Sequence, residues 1–232
     1  MATQLDLTIH RHGQSPQRTD FAVKQAIIAG WTGRDPAAVE KHIAELELLG
    51  VKRPATTPIF YRVSATRLTN AETIEVAGVA SSGEVEFVML ARDGEVLVGV
   101  GSDHTDREVE TYNVTVSKQM CCKPVSRDVW PMADVAGHWD KLILRSWIME
   151  RGKRVLYQEG EVSGMLPPGV LTGKFSGNGA GQLPDGTVMF CGTFAAKGGI
   201  RPSGQFEMEL EDPVLGRKIS HSYSMIYLPV LG

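Results

Sequence analysis

Glu84-Val85-Glu86-Phe87-Val88-Met89-Leu90-Ala91-Arg92-Asp93-Gly94-Glu95-Val96-Leu97-Val98-Gly99-Val100-Gly101-Ser102-Asp103 reads as two strands joined by a tight turn. Asp93-Gly94 suits a type I′ turn, because both central residues of that turn need positive φ. With those two in the loop, Arg92 faces Glu95, and counting outward along the ladder sets Glu84 opposite Asp103. Glu86 lies two residues from Glu84 and so projects from the same face. Three carboxylates converge on one spot. Like charges opposed on a sheet repel, so a balancing charge is expected. An all-oxygen donor set selects Mg²⁺, Mn²⁺ or Ca²⁺ over zinc or copper. The plainer alternative is that Glu84 and Glu86 form the wet face of an edge strand and Asp103 belongs to a turn.

Beyond the hairpin come Ser102-Asp103-His104-Thr105-Asp106-Arg107-Glu108 and then Lys118. Together with Glu84-x-Glu86 this order resembles the metal-binding core of the fumarylacetoacetate hydrolase family. There a Glu-x-Glu strand precedes an Asn-Asp-x-(Ser/Thr)-x-Arg-Asp segment and a lysine. The resemblance covers most of the chain and points to an uncharacterised bacterial branch of that superfamily. It implies a mixed, mainly β fold, a β-roll or β-sandwich with few short helices. It implies that Glu84, Glu86 and Asp103 hold a divalent cation, Mg²⁺ or Mn²⁺ with Ca²⁺ also open. Lys118 would stand beside it, touching a developing oxyanion or a bound water. Arg107 matches the arginine that lies near the substrate. A planar guanidinium suits either bidentate binding of a substrate carboxylate or bracing of the metal carboxylates. His104 falls at a variable position and receives no role. Gln119-Met120-Cys121-Cys122 departs from the family's Gly-Thr or Thr-rich turn, which leaves the surroundings of the cation there open.

Asp35-Pro36 opens the clearest helix of the chain. Asp35 is a candidate N-cap, Pro36 suits the first turn, Gly50 follows the last periodic residue, and Val39, Ile43, Leu46 and Leu49 form an apolar stripe. His42 and Glu45 share another face of it. On spacing alone such a pair is a solvated one. The resemblance implies more. In short family members a strand leads through a loop into a His-x-x-Glu segment and then into a proline-bounded strand, the order seen here in Ile27–Trp31, His42-x-x-Glu45 and Pro58–Val63. His42 would be a base, with Glu45 orienting it and stabilising the imidazolium. Residues 1–232 read as one catalytic domain, with 1–56 as an N-terminal strand and helix portion, carrying His42 and Glu45, that serves as a lid. Arg34, in the loop before the helix, is a further candidate for a substrate carboxylate.

Tyr112 to Ser117 alternates toward Lys118. Later, Thr187–Thr193 reads as a buried strand ending in Gly192-Thr193, which matches the family's late Gly-Thr. The threonine there binds the carboxylate or keto end of the substrate, so the resemblance carries that role to Thr193, with Gly192 admitting close backbone approach. The continuation Phe194–Gly199 lacks the family's proline and leaves the substrate class open. Glu207, Glu209 and Glu211 form a second acidic row with period 2, read here as a wet face.

At 232 residues, 42% of them hydrophobic and with a formal net charge of -3, the chain has the composition of an ordinary soluble protein with a substantial core. It carries no basic stripe for nucleic acid and no run near the roughly 18 apolar residues a membrane span needs. Met1–Arg11 lacks the apolar core of a secretory signal. Three cysteines, two of them adjacent, do not make a disulfide framework, so a reducing, cytoplasmic setting is expected. The expected function is metal-dependent hydrolysis or lyase chemistry on a 2-keto or diketo acid through a stabilised enolate, in a homodimer. The alternatives are dehydration, hydration or isomerisation of a keto-sugar acid, or a non-enzymatic β-barrel binding protein with a structural cation.

Overall fold

Alternating and continuous apolar runs fill most of the chain, and most of it is strand. The computed structural model describes residues 3–48, 53–177 and 181–231. Its strands are β1 Thr3–Ile9, β2 Gln17–Val23, β3 Gln25–Gly30, β4 Ile59–Val63, β5 Leu68–Thr69, β6 Thr73–Ala77, β7 Ser81–Ser82, β8 Val85–Arg92, β9 Glu95–Ser102, β10 Thr105–Asp106, β11 Lys123–Pro124, β12 Asp128–Pro131, β13 Ile143–Glu150, β14 Lys153–Glu161, β15 Thr187–Phe190, β16 Gln205–Asp212 and β17 Arg217–Leu228. Its α-helices are α1 Pro36–Leu48, α2 Arg107–Tyr112, α3 Val114–Met120, α4 Met132–Val135 and α5 Pro168–Ser176.

Two sheets carry the architecture. One has eight strands in the order β2-β1-β12-β9-β8-β15-β3-β4, the other five in the order β14-β13-β16-β17-β6. The β8–β9 hairpin lies at the centre of the first. Its ladder pairs Arg92 with Glu95, Leu90 with Leu97 and Val85 with Ser102, the register expected from the turn. Asp93 and Gly94 have φ of 51° and 76°, as a type I′ turn requires.

Both faces of β8 are covered, which is why it reads as a continuous apolar run rather than an alternating one. Val85, Phe87, Met89 and Ala91 face the other sheet and pack in one core with Leu144, Phe206, Met208 and Leu210. Val88 and Leu90 point the other way, into a second core with Leu5, Leu7, Ile28, Leu97 and Phe190. Burying each of these side chains larger than alanine contributes about 1.5–3 kcal/mol. A slip of one residue would turn both sets the wrong way, so packing on two faces fixes the register. Glu86 and Glu84 continue the row of Leu90 and Val88. The acidic cluster is therefore the end of an apolar row, and core packing holds it in place.

The helix at Asp35-Pro36 forms as read: the Ala37 amide donates to Asp35 Oδ1 at 2.9 Å, and Ile43 is buried. Leu49, Gly50 and the side chain of Leu46 lie outside the described residues. Tyr112–Ser117 alternates in sequence, yet α2 and α3 run through it on either side of Asn113. Two caps override the pattern: Asp106 Oδ1 accepts from the Val109 amide at 2.9 Å, and Asn113 Oδ1 from the Val116 amide at 3.1 Å. No helix of the described residues is long and apolar enough to cross a membrane.

Candidate metal centre

The hairpin register brings its two ends together. The Asp103 amide donates to the Glu84 carbonyl at 3.0 Å, so the two residues oppose one another as counted. Glu84, Glu86 and Asp103 each offer an oxygen, and these atoms all lie within 4.8 Å of one another. Asp103 and Glu86 are buried, and Glu84 keeps some exposure.

The three carboxylates are not equivalent. Burial would raise the pKa of Asp103, but Lys118 and Lys123 outweigh it and hold the carboxyl at about 2. Lys118 Nζ contacts Asp103 Oδ2, while Lys123 Nζ lies 3.1 Å from Oδ1. Glu84 is 3.3 Å from an Arg107 nitrogen and 4.0 Å from Lys118 Nζ. Glu86 makes no ion pair among the described residues. Its one strong partner is the Gly192 amide, which donates at 2.5 Å. Burial, and then the negative charge of Asp103, push its carboxyl well above the usual range. A buried carboxylate short of positive charge, beside two others, fits a hard dication and its preference for oxygen.

Gly192 is required where it stands. Its φ is 107°, and a Cβ there would fall 1.8 Å from Thr32 Oγ1. Only without a side chain can the backbone come close enough to aim its N–H at Glu86. Thr193 is held by the same corner: its hydroxyl donates to the Val85 carbonyl at 2.8 Å and accepts from Gln158 Nε2 at 2.7 Å. Gln158 also accepts from the Val85 amide at 3.0 Å and donates to the Phe194 carbonyl at 2.6 Å. Gln158 and Thr193 thus lock the strand that carries Glu86 to the loop that carries Gly192.

Arg107 is tied to its neighbours. Its Nε donates to Ser82 Oγ at 2.7 Å, one terminal nitrogen pairs with Glu110 at 2.9 Å, and the other lies beside Glu84. Lys118, on α3, is almost fully buried. Burial lowers its pKa, but Asp103 and Glu84 raise it further and keep the ammonium charged. The Tyr61 ring centroid is 5.9 Å from its Nζ. Arg34 pairs with Asp140 at 2.6 and 2.9 Å and donates to the Met165 carbonyl at 3.0 Å. His42 and Glu45 lie on α1, and their side chains fall outside the described part of the structure. The loop before α1 is docked at the corner of Gly192: the Leu166 amide donates to the Thr32 carbonyl at 2.7 Å, and Thr32 is the residue a Gly192 side chain would strike.

Three contributors escape the sequence reading. Lys123 is fully buried against Asp103. Its signal is a lysine inside the otherwise apolar run Cys121–Val125. Gln158 is buried next to the equally buried Tyr157, which alternation forbids in a regular strand. A bulge opposite Ser146 and Trp147 resolves the conflict, and nothing local announces it. His104 is buried beneath Asp103, with its ring nitrogens 2.9 Å from Tyr223 Oη and 2.9 Å from Ser81 Oγ. Burial first, and then Lys123 and Arg107, hold its pKa at about 3, so it is neutral.

The chain belongs to the family whose model is described as "Protein of unknown function (DUF2848)", which matches residues 29–223. No curated protein matches it. Among solved structures it is similar to 2-keto-3-deoxy-D-arabinonate dehydratase complexed with magnesium and 2,5-dioxopentanoate, with a TM-score of 0.63, 13% identity, and 94% of this chain and 79% of that one covered. It is similar to Cg1458 solved with an inhibitor, with a TM-score of 0.61, 14% identity, and 93% and 86% covered. It is also similar to the fumarylacetoacetate hydrolase from psychrophilic Exiguobacterium antarcticum, with a TM-score of 0.55, 16% identity, and 87% and 75% covered. These likenesses establish the fold, which this chain shares with the dehydratase, with Cg1458 and with the fumarylacetoacetate hydrolase.

Proposed function

We propose that this member of the DUF2848 family is an enzyme that holds a divalent cation, Mg²⁺ or Mn²⁺, at Glu84, Glu86 and Asp103. Its substrate is a small 2-keto or diketo acid, and its chemistry is hydrolysis of a C–C bond or decarboxylation. The observation that carries this reading is Glu86: a buried carboxylate with no ion-pair partner among the described residues, grouped with two others. A hard dication bound there supplies Lewis acidity toward paired carboxylate and keto oxygens.

The chain's own residues do the rest. Lys118 keeps a charged ammonium at the edge of the cluster and can donate to an oxygen that gains charge. Arg107 holds Glu84, and the Gln158–Thr193 lock holds the Gly192 amide against Glu86. His42 takes the proton and Glu45, three residues on, orients it. The loop before α1 closes over the corner at Gly192 and brings Arg34 with it.

A second reading is dehydration of a keto-sugar acid. The similarity to the arabinonate dehydratase structure with its magnesium favours it over a non-enzymatic binding protein. A panel of 2-keto acids, diketo acids and keto-sugar acids, assayed with titrated Mg²⁺ and Mn²⁺, separates the two. The same panel is run on Glu86→Ala and His42→Ala. His42→Ala is expected to lose about 10²–10⁴-fold in turnover while still binding the cation. Glu86→Ala is expected to lose cation binding and turnover together. Turnover that survives EDTA, or a His42→Ala variant as active as the wild type, would count against this reading.

A further inference from the structure

Asp103 takes an ammonium on each of its oxygens, and the two lysines are held very differently. Lys123 belongs to β11, which pairs in parallel with β5, Lys123 opposite Leu68. It is fully buried and also donates to the His104 carbonyl. His104 is itself pinned through both ring nitrogens, to Tyr223 and Ser81. Lys123 thus sits in a receptor with no slack, on a strand that cannot shift without breaking its pairing. A buried ammonium is costly unless paired, and here the pairing is to Asp103.

Lys118 is on α3, a helix whose Val116 and Met120 are exposed. Its Nζ touches Asp103 Oδ2 and lies 4.0 Å from Glu84 Oε2, so it spans two of the three carboxylates that would hold a cation. A dication held by Glu84 and Asp103 would compete with the ammonium for these carboxylates, and the two positive charges would repel. The Tyr61 ring, 5.9 Å away, offers the ammonium a second seat.

We infer that the two lysines divide the work: Lys123 is a positioning residue that fixes Asp103 for the cation, and Lys118 is the ammonium the cation displaces. This rests on the cation site proposed above. It predicts opposite signs for two changes that remove the same charge. Charge alone would make both variants bind the cation more tightly.

The test is Mn²⁺ binding by calorimetry, without substrate, on the wild type, Lys118→Met and Lys123→Met. Lys118→Met is expected to bind several-fold more tightly. Lys123→Met is expected to bind about 10–100-fold more weakly, as when a support of a metal ligand is lost. Tighter binding by both overturns the inference and leaves the cation site standing. A wild type that binds no Mn²⁺ overturns both. Should Lys123→Met not fold, Lys123→Arg carries the test. It keeps the charge but moves the donors that hold Asp103 Oδ1, and is expected to bind more weakly than the wild type; unchanged or tighter binding by a folded Lys123→Arg overturns the inference.

Discussion

Two parts of this molecule place carboxylates at every second position, and they behave as opposites. Glu84 and Glu86, at the start of β8, converge with Asp103. Glu207, Glu209 and Glu211 on β16 alternate in the same way, above the buried Phe206, Met208 and Leu210. What differs is the company across the ladder. Glu209 faces Arg145 on β13, and Glu211 faces Lys218 on β17. Arg154 lies 2.7 Å from Glu207, and Lys218 3.0 Å from Glu209. Each acid of β16 has a cation within reach, Arg145 being shared by Glu209 and Glu211, and all three keep partial contact with water. The hairpin instead sets an acid opposite an acid and buries Glu86 with none. Period-2 acidity is thus neutral as a sign of function; the identity of the cross-strand partner and the depth of burial decide it.

The sharpest way to break this comparison is to remove one charge from each row. Glu86→Gln is expected to weaken Mg²⁺ or Mn²⁺ binding by more than about 100-fold, beyond what residues that merely support a ligand cause. Turnover would fall with it. Glu209→Gln is expected to leave cation binding unchanged and stability within about 0.5 kcal/mol. Calorimetry and thermal melts on the two variants check this. Equal effects would erase the distinction between the rows.

The second contrast is in pH. Glu86 has a folded-state pKa above its ordinary value, so its contribution to stability is full below that value and is lost as pH rises through the raised one. Asp103 is the reverse: its contribution is present above the ordinary aspartate value and is lost as pH falls toward about 2. Without a dication the protein is therefore expected to lose stability as pH climbs above the ordinary glutamate range. Mg²⁺ at about 100 times its Kd should restore roughly 2.7 kcal/mol, or about 5–10 °C in the melting midpoint. Glu86→Gln should flatten the alkaline slope and abolish the gain from Mg²⁺. A chelated wild type with no such slope would show that Glu86 finds a partner elsewhere.

How much of this could be read beforehand follows from the range of each interaction. Register at β8–β9 is legible because Asp93-Gly94 admits one turn and Val88 and Leu90 punish a slip. The meeting of Glu84 with Asp103 follows at once. The helix at Asp35-Pro36 is legible because its cap is local. Lys123 is not. Its link to Asp103 runs through the pairing of β11 with β5, more than fifty residues earlier in the chain, and neither two-residue strand has a pattern to announce it. Gln158 is hidden by a bulge that breaks the alternation on which strand reading depends. Tyr112–Ser117 misleads because its alternation is real, while the caps at Asp106 and Asn113 overrule it. Arg107 is legible as a neighbour of the acidic cluster, but its contacts to Ser82 and Glu110 are not.

The smallest expected effect belongs to the wet face. Arg145 reaches Glu159 at 2.9 Å and Glu209 at 3.5 Å and also contacts Glu211, so one guanidinium serves three carboxylates on neighbouring strands. Partial exposure lets water do much of the same work. Arg145→Met is expected to cost about 1 kcal/mol or less, with no change in cation binding. In 1 M salt, where the screening length falls to about 3 Å, most of that cost should vanish. The Lys118 and Lys123 contacts at Asp103 are buried, and salt should hardly touch them. Denaturation of the wild type and Arg145→Met at low and high salt measures the difference. A salt-independent loss of several kcal/mol would mean that the β16 row holds the fold together as firmly as the hairpin does, and that exposure is the wrong variable for telling the two acidic rows apart.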